Sequence, residues 1–186
     1  HLVGKEIVRF HTIIWPIILM ALDLPLPKTV FGHGWLLFGE EKMSKSKGNV
    51  VEPLALADEF GVDAVRYFLL REISFGQDGS FTRDALIQRI NADLANDLGN
   101  LLHRSIAMIS RYRDGAIPNI GTTTALETDL QNLAAQTIKD LGAHIDKLEI
   151  NGALSAIWRL VAGTNKYIDE AAPWALKKKG DEARLD

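Results

Sequence analysis

The 186-residue chain contains no cysteine. Disulfide frameworks, thiolate zinc sites, iron–sulfur clusters and cysteine nucleophiles are therefore excluded together. Charge of one sign is also scarce: 21 Lys and Arg stand against 24 Asp and Glu, a net −3. Neither half departs from that balance, with 8 basic and 10 acidic residues up to Ser80 and 13 and 14 after it. A protein that holds nucleic acid by bulk positive charge is excluded, so any such contact must come from a local patch. Long apolar runs are missing too. The longest, Ile13 to Leu22, contains Pro16 and is too short to span a bilayer.

What is present fits a folded protein. Hydrophobic residues make up 47% and charged residues 24%, and the length allows one large domain or two small ones. Five histidines leave metal binding through His and carboxylate formally open. The chain opens on His1 and closes in the charged stretch Lys177-Lys178-Lys179-Gly180-Asp181-Glu182, and both ends read as cuts through a longer polypeptide.

Periodicity divides the chain. Ile7, Phe10, His11, Ile14 and Ile18 recur at helical spacing, which predicts a helix over Lys5–Leu22 that Pro16 kinks or breaks. Thr29–Phe31 and Trp35–Phe38 read as short strands on either side of Gly32-His33-Gly34. Lys42 to Val51 is a polar loop, and helices follow at Pro53–Phe60 and Asp63–Ile73, the second with Asp63 placed to cap it. From Thr82 the pattern is almost wholly helical, over roughly Thr82–Asp114, Thr124–Leu148 and Asn151–Ala172. Thr124 and Glu127 fit a capping box. The expected architecture is an α/β remnant followed by an all-α bundle, predominantly helical, with the change of character near Phe75–Phe81.

The chemistry-bearing stretch is Lys42-Met43-Ser44-Lys45-Ser46-Lys47-Gly48-Asn49. Alternating ammonium and hydroxyl groups on a loop suit a polyphosphate whose charge grows as a bond breaks. With His33-Gly34-Trp35 before it and Gly48-Asn49-Val50 after it, the stretch resembles the KMSKS signature of class I aminoacyl-tRNA synthetases. Gly4 to His11 with Trp15-Pro16, Asp63 to Glu72, Asn91 to Asn100, and Ala172-Pro173-Trp174 resemble methionyl-tRNA synthetases, and the resemblance covers nearly the whole chain.

That resemblance implies a division of labour. Residues 1–78 would be the end of a Rossmann-type catalytic domain, and 79–186 an anticodon-binding helical bundle, truncated at its C-terminus. The activity implied is that of a cytoplasmic ligase that activates methionine with ATP and transfers it to tRNA. Lys45 would stabilise the transition state, with Lys42, Ser44 and Ser46 shaping the loop around pyrophosphate. Gly4, Glu6, His33, Gly34, Leu36 and Lys45 would hold ATP, accompanied by Mg2+. Ile7, Phe10 and His11 would line the methionine side chain, although His11 reads equally well as a satisfied core histidine. Asn100, Arg104 and Trp174 would read the anticodon of methionine tRNA. No zinc site and no membrane partner are implied. The family's HIGH signature is missing from the chain, so this piece alone is expected to be inactive.

The residues by themselves leave rivals open. One is another class I synthetase of the valine, isoleucine, leucine or cysteine type, and the other is a non-catalytic tRNA-binding module that keeps the loop. On the first helix of the bundle, a count of about 100° per residue puts Asp93, Asp97, Asn100, Arg104 and Arg111 on one polar face. The same count assigns Leu94, Leu98, Leu101 and Leu102 to the core.

Overall fold

The computed structural model describes residues 1–38, 41–42 and 51–186. Of the signature loop, Lys42 is seen only as a backbone position, and Ser44, Lys45 and Ser46 lie outside the described residues. The chain packs as two compact units, residues 1–86 with 149–151 and residues 87–148 with 152–186.

The first unit is built on short parallel strand pairs. β1 (Leu2–Gly4) pairs in parallel with β2 (Phe31–His33), so that Gly4 lies opposite His33. The crossover between them is the expected helix, but it is not a single α-helix. It runs as a 3-10 turn over Lys5–Ile7, a π-helical turn over Phe10–Ile14 and then α1 (Trp15–Ala21). Pro16 sits at the start of α1, where its missing N–H costs nothing, so the proline opens the α-helix and does not kink one. β3 (Leu36–Phe38) pairs with β4 (Glu41–Lys42) on one side and in parallel with β5 (Gly79–Phe81) on the other.

Two helices make the second crossover, α2 (Pro53–Phe60) and α3 (Val62–Glu72). Gly61, at φ 87°, turns the chain between them and stands before the first residue of α3. Asp63 is consequently inside the first turn and not the cap, where its charge still complements the helix dipole. Phe68 is fully buried and meets Phe81 edge-on at 5.7 Å. These two rings fasten α3 to β5.

The second unit is helical throughout. α4 (Arg83–Arg89) straddles the division, its last residues belonging to this unit. A ten-residue π-helical stretch, Ile90–Gly99, leads from it into α5 (Asn100–Arg113). α6 (Ala125–Asp146) and α7 (Ile150–Ala171) follow, then the short α8 (Pro173–Lys179) and α9 (Glu182–Leu185). The capping box is formed as expected: Thr124 N–H donates to Glu127 at 2.6 Å, and the Thr124 hydroxyl accepts from the amide of Leu126 at 3.3 Å. Ala153, Ala156, Val161 and Ile168 form the buried stripe of α7, two of them small enough to let neighbouring backbone approach.

The π-helical stretch corrects the face assignment made from sequence. Asp93 is buried and paired with Arg89 at 3.3 Å, while Leu98 and Leu102 are 41% and 59% exposed. Each i→i−5 bond inserts extra backbone into the turn, so a projection at the α-helical angle loses phase across residues 90–99. Asn165 on α7 donates to Asp97 O at 3.2 Å, beside the Asn100 N–H that the same carbonyl accepts, and so ties the stretch to α7.

Candidate functional site

In open α/β sheets, ligands gather outside the carboxyl ends of parallel strands. Here β1 ends at Gly4 and β2 at His33, side by side. Glu6, just beyond β1, folds back so that its carboxylate lies where a Cβ on residue 4 would stand, 2.6 Å from that position. A side chain at residue 4 would displace the Glu6 carboxylate from this position. The carboxylate also accepts the Trp35 indole N–H at 3.1 Å. The result is an acidic group fixed at the strand ends with glycine backbone beneath it, which suits hydroxyl donors such as those of a ribose.

Gly34 is required by an equally close approach. A Cβ there would overlap the backbone carbonyl of Gln77. The His33 ring stacks on Phe75, whose ring stacks on Phe31 at 4.8 Å. Phe31 and His33 are two residues apart on β2 and so share its face. Leu36 is the first residue of β3, in the separate three-stranded sheet. Gly4, Glu6, His33 and Gly34 are thus held at or just beyond the carboxyl ends of β1 and β2, while Leu36 lies at the start of β3.

Three residues of this region were not legible in the sequence. Lys5 bonds Asp78 at 2.5 and 2.6 Å, and its ammonium lies 4.2 Å from the centre of the Trp35 ring. Asp78 also accepts the Trp35 backbone N–H at 2.8 Å. The Lys5 hydrogen bond first, and the Trp35 amide second, hold the Asp78 carboxyl below its ordinary range. Lys5 and Asp78 are 73 residues apart, and no local pattern announces such a pair.

Phe10 and His11 line an open cavity of about 360 Å³ with Ile14, Trp15, Ile18 and His1. The π-helical turn explains the grouping, because Trp15 N–H bonds Phe10 O five residues back and brings the two rings to one side. Trp15 is the wall residue that helical counting missed. Ile7 is not among the lining residues, yet its carbonyl meets His11 Nδ1 at 3.0 Å and fixes the imidazole. Apolar walls around one polar ring are what a small amphipathic side chain needs. Among the described residues, no group of three or more His, Asp or Glu could hold a metal ion.

In the helical unit, Asn100 and Arg104 lie one turn apart at the start of α5. Asn100 is exposed, and Arg104 bonds Asp169 on the last turn of α7 at 2.5 Å. Beyond that turn, Ala172 takes a left-handed conformation at φ 45° and Pro173 opens α8. Trp174 follows it, with 48% of its surface exposed. An exposed amide, a guanidinium and an indole are the groups that read and stack unpaired bases. Asp169 is a partner of Arg104 that sequence reasoning missed.

These features are those of a class I tRNA synthetase with a helical appendage. The family model described as tRNA synthetases class I (M) matches residues 1–106, more than half of the chain, and the chain belongs to that family. Residues 117–185 match the anticodon binding domain of methionyl tRNA ligase. The methionine–tRNA ligase of Caldanaerobacter subterraneus subsp. tengcongensis is 59% identical over 99% of the chain, and that of Bacillus subtilis (strain 168) is 58% identical over 96%. The Mycobacterium tuberculosis methionyl-tRNA synthetase bound by methionyl-adenylate superposes with a TM-score of 0.94 at 45% identity over the whole chain. The chain spans only 28% and 27% of the two curated relatives and 37% of the solved one. No helix among the described residues is long and apolar enough to cross a membrane.

Proposed function

We propose that this chain supplies the signature-loop end of the catalytic domain, and the anticodon-reading bundle, of a cytoplasmic methionine–tRNA ligase. Residues 1–78 supply the first part and residues 79–186 the second. In the first half-reaction a carboxylate oxygen of methionine attacks the α-phosphorus of ATP, carried as its Mg2+ complex, and pyrophosphate leaves. In the second, a ribose hydroxyl at the tRNA 3′ end attacks the carbonyl carbon of the adenylate and AMP leaves. Phe10, His11 and Trp15, with Ile7 fixing His11, take the methionine side chain. Gly4, Glu6, His33, Gly34 and Leu36 take the nucleoside. Lys45, with Lys42, Ser44 and Ser46, meets the charge that grows on the phosphates as the bond breaks.

The observation that carries this reading is the Glu6 carboxylate seated over Gly4 beside His33. A hydroxyl acceptor at the carboxyl ends of parallel strands supports a nucleoside site, and the same chain carries an intact Lys42–Ser46 signature. The test is methionine-dependent ATP–pyrophosphate exchange in a complete ligase carrying this segment. Glu6→Gln is expected to raise the KM for ATP about tenfold or more with the KM for methionine little changed. An unchanged KM for ATP would remove Glu6 from the nucleotide site. The isolated chain is expected to give no exchange.

A further inference from the structure

Trp35 lies between β2 and β3, and two consecutive residues, Asp78 and Gly79, pin its main chain from both groups. Its N–H donates to the Asp78 carboxylate at 2.8 Å, and its carbonyl accepts the Gly79 N–H at 2.8 Å. The residue before it, Gly34, lies against the Gln77 backbone, so residues 77–79 run alongside 34 and 35. With the backbone set, only the side-chain torsions of the indole remain. The Lys5 ammonium covers the ring at 4.2 Å from its centre, and both oxygens of Asp78 accept from that ammonium. The indole N–H is directed at Glu6, which accepts it at 3.1 Å.

Charge does not account for this arrangement. The side chains of Lys5 and Asp78 are 40% and 37% exposed, and so open an ion pair adds little stability. What the contacts do is run from Asp78 through Trp35 to the one carboxylate seated over Gly4. A free glutamate side chain samples several rotamers, and a ligand that must order them loses affinity in doing so. The indole N–H takes one of the roughly four acceptor directions of the carboxylate and orients it. We infer that Asp78 is a positioning residue for the nucleoside, holding Trp35 so that its indole orients Glu6 for the ribose hydroxyls before ATP arrives. The inference rests on the nucleoside reading of Glu6 above, and it gives Asp78 no contact with ATP itself.

The experiment is methionine-dependent ATP–pyrophosphate exchange in a complete ligase carrying this segment, with ATP and with an ATP analogue lacking both ribose hydroxyls. Asp78→Ala is expected to raise the KM for ATP about threefold to tenfold, the factor of one hydrogen bond, with the KM for methionine unmoved. Trp35→Phe, which keeps a ring against Lys5 and loses only the donor to Glu6, should do the same. Neither variant should change the KM for the analogue, and Asp78→Ala should add nothing to Glu6→Gln. Asp78→Asn keeps an acceptor for the Trp35 amide and should stay near wild type, which also tests the route should Asp78→Ala fail to fold. Equal losses with ATP and the analogue would overturn the inference and leave Asp78 a support of the fold alone. A KM raised as far in Asp78→Asn as in Asp78→Ala would shift the effect to the Lys5 charge and overturn the route through Trp35. An unchanged KM for ATP in Glu6→Gln would overturn the nucleoside reading and this one with it. A raised KM in Glu6→Gln beside unchanged values in Asp78→Ala and Trp35→Phe would overturn this one alone.

Discussion

One oxygen of Glu127 accepts both the guanidinium of Arg184, at 2.6 Å, and the hydroxyl of Tyr167, at 2.7 Å. The same carboxylate closes the capping box of α6 through Thr124, so a single group joins the start of α6, the C-terminal part of α7 and α9. A second clamp lies nearby, where Arg113 at the end of α5 pairs with Asp186 and, at 2.8 Å, with Glu182. Residues 182–186 are thereby tied to three longer helices.

Burial alone would raise the Glu127 carboxyl. The hydrogen bonds from Tyr167, Thr124 and Arg184 outweigh it and hold the group at about 2, against an ordinary 4.5. A depressed carboxylate contributes stability that is present above its unfolded value and lost as pH falls through its folded one. Thermal melts should therefore show wild type losing stability between about pH 4.5 and pH 2, with Glu127→Gln showing a flatter profile and a cost at pH 7 of about 1–3 kcal/mol. Parallel profiles for the two proteins would contradict the linkage.

Gly34 leaves no room for a side chain against the Gln77 carbonyl, which is backbone and cannot swing aside. Gly34→Ala is expected to cost about 1–3 kcal/mol through the forced shift. Gly142, where an added Cβ meets nothing within 4 Å, is the control, and Gly142→Ala should be neutral or stabilising in this helix interior. Equal melts for the two variants would contradict the close approach at residue 34.

Lys45→Ala, assayed by ATP–pyrophosphate exchange in a complete ligase, should lower kcat by about 10²–10³ while moving the KM for ATP much less, because in the proposed role the ammonium meets charge that develops only in the transition state. A change confined to the KM would reassign it to ground-state binding. An unchanged rate would favour a module that keeps the loop without using it.

The sequence conveyed more of the architecture than of the site's geometry. The capping box at Thr124 and Glu127 and the helices over 125–146 and 150–171 follow from local rules and stand as read, whereas β1 was not foreseen and β2 runs over Phe31–His33 where Thr29–Phe31 was expected. What local rules missed was phase and distance. Helical counting runs at one angle, so it placed Leu98 and Leu102 inside, put Asp93 outside and passed over Trp15. Each error falls within or just after a π-helical stretch. The pairs Lys5–Asp78 and Arg104–Asp169 join residues 73 and 65 apart, and only the folded chain brings them within a hydrogen bond. Such stretches are uncommon and frequently mark functional sites, and here they adjoin the cavity at His11 and the polar start of α5.

The central claim is that this chain reads the methionine anticodon, and the direct measurement is a fluorescence titration of the Trp174-bearing chain with a stem-loop carrying the CAU anticodon, beside one with an altered anticodon. The account predicts preferential binding of the CAU loop. That preference should fall by about 1–3 kcal/mol in Arg104→Ala, the residue proposed to read base edges, and affinity should fall in Trp174→Ala. Equal affinity for both loops, unaffected by either substitution, would contradict it.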